Sequence, residues 1–95
     1  MPAIGVLTLE LRLEDSHSLK EKRHVVLSLK DRLRHKFNVS VAEIANQDLW
    51  QRATVAAVTV SSDRVNAEKV LLGVEEEAAG LVGSALVQTN VEWIE

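Results

Sequence analysis

Four consecutive residues, Asp15-Ser16-His17-Ser18, contain every side chain of a serine-hydrolase triad. Adjacency argues against that chemistry, because a triad is assembled in space from separate segments that hold acid, base and nucleophile in line. Ser18 instead opens an S-x-x-E pattern with Glu21, the spacing at which a hydroxyl and a carboxylate satisfy the free amides of a helix start. The three histidines raise the question of a metal. On a helix rising about 1.5 Å per residue, His24 and His35 stand roughly 16 Å apart and His17 and His24 roughly 10 Å. Zinc ligands lie about 2 Å from their ion, so no two of these share one on that helix. Ser61-Ser62-Asp63 reads as a second helix start, whose free amides offer at most a weak ligand contact. No phosphate loop, dinucleotide fingerprint or zinc pattern occurs, so no catalytic residue, metal or cofactor is assigned. The expectation is a protein that is not an enzyme, since no nucleophile–base pair can be assembled from these residues.

What remains chemically distinctive is charge. The chain of 95 residues carries a formal net charge of −3, which argues against binding nucleic acid over its whole surface. Yet His17 to Phe37 holds seven cations against Glu21 and Asp31, a net +5, so the remainder, with four cations and twelve acids, stands at −8. Within this region Arg23, Lys30 and Arg34 project within roughly 80° of Lys20 when wound at about 100° per residue. Leu27 falls inside that stripe. Such a stripe suits a phosphate backbone or an acidic protein patch. It equally describes a solvated helix side whose long stems cover the core edge, as Lys22 would by snorkelling. A second charged segment, with Glu68, Glu75, Glu76 and Glu77, could tie the two helices together or join two molecules.

The elements that must carry these residues follow from periodicity. Leu7, Leu9, Leu11 and Leu13 alternate with polar residues over 4–14, the period of a half-buried strand. Leu19, Val26, Leu29, Leu33 and Phe37 then share one helical arc. Asn38 to Ala45 reads as a short second strand, Asn46 to Ala53 as a polar hairpin loop, and Thr54 to Ser61 as a Val/Thr-rich third strand. A second helix runs from Asp63 to about Leu81 on the stripe Ala67, Val70, Leu71, Val74, Ala78 and Leu81, with Gly80 and Gly83 as its stop. Ala85 to Ile94 alternates as a last strand. The order β-α-β-β-α-β predicts an α+β, ferredoxin-like sandwich: a four-stranded antiparallel sheet, first and third strands central, with two helices on one face. The open face is expected to carry Ile4, Val6, Thr8, Glu10, Arg12, Val55, Ala57 and Thr59, a mixed surface suited to solvent or to a modest homodimer.

Residues 1–95 suit a single domain. The longest apolar stretches fall far short of the roughly 20 residues that span a bilayer, so no membrane partner is expected. No signal-peptide pattern opens the chain and no cysteine occurs, which together fit a cytoplasmic address. Trp50, in Gln47-Asp48-Leu49-Trp50-Gln51-Arg52, either packs back on its hairpin or stands out as a binding anchor with Gln47, Asp48, Gln51 and Arg52 around it. Base stacking on the sheet, the mode of RNA-recognition motifs, is disfavoured because Phe37, Trp50 and Trp93 all avoid the first and third strands.

SLKEKR, its continuation LKDRLR and KFNVSVAE, and QDLWQRA at this distance together resemble the YlxP-like family of small uncharacterised bacterial proteins. The resemblance covers essentially the whole chain. It implies a ferredoxin-like fold and carries no catalytic residues, since the family has no established activity. Lys20, Lys22, Arg23, Gln47, Asp48, Trp50 and Arg52 match its motifs, whereas His24 and Ala45-Asn46 stand where many members carry other residues. Its genes keep company with those for transcription elongation, translation initiation and ribosome maturation. The expectation is a module that meets RNA or the ribosome through Lys20, Arg23, Lys30 and Arg34 together with Gln47, Asp48, Trp50 and Arg52. The alternative is a protein-interaction or homodimerising module that binds no nucleic acid.

Overall fold

The computed structural model describes residues 1–94. Along the chain run β1 (Ala3–Arg12), α1 (Leu19–Lys36), β2 (Ser40–Ala45), β3 (Arg52–Ser61), α2 (Arg64–Val82), a 3-10 turn (Gly83–Ala85) and β4 (Leu86–Ile94). The sheet is antiparallel in the order β2-β3-β1-β4, so the two longest strands, β1 and β3, take the centre. Alternation puts Leu7, Leu9 and Leu11 on one face of β1. They close a core with Val26, Leu29 and Leu33 of α1 and with Ala67, Leu71, Val74 and Ala78 of α2. Each fully buried Leu or Val contributes about 1.5–3 kcal/mol relative to exposure.

Both helix starts are built by their own side chains. Ser18 Oγ accepts from the Glu21 amide at 3.1 Å, and the Glu21 carboxylate reaches back to accept from the His17 amide at 2.6 Å. Asp63 caps α2 by accepting from the Val65 amide at 3.1 Å. Gly83 ends α2 with φ of 58°, in the left-handed region where a side chain is disfavoured, whereas Gly80 lies inside the helix and stops nothing. Leu81, expected in the core, is 41% exposed on the last turn.

The facing of β3 corrects the sequence expectation. Leu9 pairs with Val55, Leu7 with Ala57 and Gly5 with Thr59, so these three β3 residues lie beneath the helices and are buried. Thr54, Ala56, Val58 and Val60 take the open face instead. The run TVAAVTVS is apolar at both parities, so its pattern cannot choose a face, and the register with β1 decides. The hairpin is also shorter than expected, because Arg52 and Ala53 already belong to β3.

Candidate functional site

Lys22 was expected to snorkel past the core, and the structure places it inside. Its position continues the stripe Val26, Leu29, Leu33, and the side chain is fully buried. A buried ammonium is tolerable only when all its donors are satisfied. Here Nζ donates to the carbonyls of Asn46 and Leu49, the latter at 2.6 Å, and lies 2.8 Å from Glu43 Oε2. That carboxylate oxygen is buried without a hydrogen bond of good geometry, so the ammonium holds it by charge. Glu43 sits on the helix-facing side of β2, opposite Val55, which is why α1 can reach it.

The effect is to fasten the β2–β3 loop to α1. Asn46 adopts φ of 64°, a conformation asparagine accepts more readily than most residues, and this turns its carbonyl toward Lys22. Its side chain donates to Thr54 Oγ1, which donates onward to Glu10. The far end of the loop is tied to the β1–α1 connection: Leu13 donates to the Gln51 carbonyl at 2.8 Å, and Gln51 Nε2 donates to the carbonyls of Glu14 and Ser16. Gln51, expected as a polar neighbour of Trp50, is therefore a tether. Between these anchors Trp50 is 47% exposed and Leu49 41%. Trp50 and Asp48 border a shallow hollow whose other wall is His17, Ser18 and Leu19, the start of α1. Gln47 donates to the Glu43 carbonyl at 3.3 Å, while Asp48 and Arg52 are exposed.

The basic region divides into paired and unpaired cations. Arg32 and Lys36 both reach Glu77 of α2, at 3.5 and 2.7 Å, and Arg34 pairs with Asp31 at 2.7 Å. The Lys36 hydrogen bond, followed by the charges of Lys36 and Arg32, holds the Glu77 carboxyl below its ordinary value of 4.5 against the opposing effect of desolvation. With Lys22 taken by Glu43, Lys20, Arg23 and Lys30 remain without an ion pair among the described residues. Lys20 and Arg23 are exposed and Lys30 is half-buried. Arg23 and Lys30 project roughly 150° around α1 from Arg32 and Lys36, on the side turned away from α2. Leu27, between them, is 54% exposed.

On the other side, the N-terminal part of α1 and the end of α2 enclose an open cleft of about 920 Å³ floored by Leu13, Val25, Val82 and Ala85. Lys20 and His24 share its rim with Glu14, Asp15 and Glu21, so both signs of charge face it. Among the described residues no three His, Asp or Glu side chains converge as a metal site. No helix is long and apolar enough to cross a membrane.

Residues 4–91 match a family described as protein of unknown function (DUF503). The uncharacterized protein YlxP of Bacillus subtilis (strain 168) is 47% identical over 68 residues, covering 72% of this chain and 74% of that protein. Among solved structures, the de novo designed protein Foldit4 superposes with a TM-score of 0.61 at 10% identity, over 100% of this chain and 98% of that one. A putative antibiotic biosynthesis monooxygenase from Bordetella bronchiseptica superposes with a TM-score of 0.57 at 13% identity, over 98% and 96%. The de novo designed protein LFR1 1 with ferredoxin fold superposes with a TM-score of 0.51 at 10% identity, over 99% and 84%, and these likenesses show the ferredoxin-like fold and carry no activity with them.

Proposed function

Since the chain belongs to the DUF503 family of proteins of unknown function, we propose its role from the surface itself: a non-enzymatic module that binds structured RNA, free or within the ribosome. The observation that carries this reading is the set Lys20, Arg23 and Lys30. They form no ion pair among the described residues, on a helix whose other lysines and arginines all do. Lys20 and Lys30 are ten residues apart, about 15 Å along the axis, a length suited to following several phosphates. Trp50 stands at the α1 start of this surface, half-exposed on a loop that Lys22 and Gln51 hold in place. A tryptophan so fixed can stack on an unpaired base with little ordering cost, and Asp48 and Arg52 offer polar contacts to base edges.

The two parts act differently, which makes them separable. Phosphate contacts release counterions, so charge reversal at Arg23 and Lys30 lowers affinity and flattens its salt dependence. Stacking is nearly salt-independent and is worth about 1–3 kcal/mol per base. Trp50→Ala is therefore expected to weaken binding about 5- to 150-fold with the salt slope unchanged. Fluorescence anisotropy on a labelled hairpin RNA with unpaired loop bases measures both. A protein that does not bind at low salt, or whose binding ignores all three substitutions, excludes this reading.

A further inference from the structure

The helix-facing side of the sheet is left unfinished along β4. Thr89, Val91 and Trp93 lie opposite Leu9, Leu7 and Gly5, so they belong to the face that carries the core. Leu7 is fully buried, yet Val91 beside it is 42% exposed, and Leu72 of α2 is 57% exposed. β4 pairs only with β1, and among the described residues no other backbone hydrogen bond reaches its main chain. Native edge strands are usually blunted by lysine, proline, a bulge or short length. β4 runs for nine residues with neither Lys nor Pro, and its register with β1 shifts only near its start, at Glu10/Leu11. The opposite edge, β2, has six residues and is irregular at Glu43/Ala45. We infer that the β4 edge takes up an extended, basic peptide segment of a partner protein as a fifth strand.

Charge selects this occupant. The Arg64 guanidinium lies over Trp93, which fixes the side of α2 turned toward β4. Glu68, Leu72 and Glu75 project within roughly 80° of Arg64, at roughly 6, 12 and 17 Å along the axis, so they follow one another beside the strand. Arg64 pairs with Glu68 at 3.3 Å, both half-exposed, a weak pair that exchanges readily. Glu75 has no ion pair among the described residues. Lys69 and Glu76 lie further round on the solvent side and offset each other. Glu92 is the one charged residue of β4, so this edge holds three acids against Arg64. Alternate residues of a strand stand about 6.6 Å apart. A cation, an apolar residue and a cation at i, i+2 and i+4 would therefore meet Glu68, Leu72 and Glu75 and cover Val91, while the main chain extends the ladder. A second copy pairing β4 with β4 would bring six acids together against two arginines. Its basic flank on α1 accompanies β2, whose short, irregular edge offers little ladder.

This inference leaves the cations of α1 aside and is tested without RNA. The probe is a synthetic peptide capped at both ends, TKTVTKT, titrated into isotope-labelled protein and followed by NMR. Amide signals of β4 and of α2 around Glu68 to Glu75 are expected to shift, and the outward β4 amides to exchange more slowly with solvent. The acidic peptide TETVTET should bind at least about tenfold more weakly. Glu68→Lys combined with Glu75→Lys, on the surface of α2, should reverse the preference between the two peptides, and circular dichroism checks that this variant keeps its fold. Of two forms of TKTVTKT methylated on alternate backbone nitrogens, the one whose methyl groups face β4 should fail to bind. Signals of β4 that do not move overturn the inference. So do equal binding of the basic and acidic peptides, or binding by both methylated forms. Sedimentation that shows a dimer formed through β4 would give the edge to a second copy and overturn it as well.

Discussion

Truncating Lys22 removes three interactions at once. It leaves the Asn46 and Leu49 carbonyls and the Glu43 carboxylate without their shared donor. Breaking one side of a buried ion pair costs about 3–5 kcal/mol, a large part of the 5–15 kcal/mol typical of a whole domain. Lys22→Ala is expected to lose about that much in urea denaturation. Lys22→Met with Glu43→Leu removes the unpaired charge but not the two empty carbonyls, each worth about 1–3 kcal/mol, so only part of the loss should return. Full recovery would mean that the carbonyl bonds contribute nothing. The sequence shows a lysine on the core arc of a helix and nothing more. Its partners Glu43, Asn46 and Leu49 lie on a separate strand and loop, and two of them offer main-chain oxygens, 24 and 27 residues away, which no side-chain pattern encodes. Ser18 and Glu21 were legible because capping is local: donor and acceptor fall within a single turn.

At the scale of elements, Glu77 of α2 ties the two helices through Arg32 and Lys36 of α1. Its folded carboxyl titrates below 4.5, chiefly through the Lys36 hydrogen bond. A depressed folded value means that the pair stabilises the protein fully above the unfolded pKa and loses that contribution as pH falls through the lower folded value. Wild type should therefore be more stable than Glu77→Gln near neutrality, and the gap should close as pH drops below about 4.5. Thermal melting across pH 2–7 reads this directly, and a gap that stays constant would show that charge is not its cause. The packing of α2 and β4 over β1 depends on Gly5. A Cβ there would lie 2.7 Å from both Leu71 Cδ1 and Trp93 Cζ3. Trp93 is further held by Arg64, whose guanidinium stands 4.3 Å from the ring centroid. Gly5→Ala is expected to cost about 1–3 kcal/mol through overpacking, whereas Gly80→Ala, inside α2 where the added methyl meets nothing, is expected to stabilise by about 0.5–1 kcal/mol. Element order and type were legible from period alone. The face of β3 was not, since Val55, Ala57 and Ala56, Val58 are equally apolar and only pairing with β1 distinguishes them.

For the whole molecule, the two faces of the sheet differ in what they expose. The helix layer carries the unpaired cations and Trp50, and the open face carries Val58 and Val60. The uneven charge was visible in the sequence, but its meaning changed with the structure. Of seven cations between His17 and Phe37, four are spent on Glu43, Glu77 and Asp31, which reduces a broad basic helix to Lys20, Arg23 and Lys30. Those partnerships bridge elements, or adjacent turns, that a charge count cannot assign. The most direct test of the central claim is the affinity for a structured RNA followed across salt, for wild type and for the combined Lys20→Glu, Arg23→Glu, Lys30→Glu variant. Three phosphate contacts predict a slope of log affinity on log salt of about −2 to −3 for wild type, flattened towards zero in the variant. Equal slopes for the two proteins, or no binding at about 50 mM salt, would contradict it.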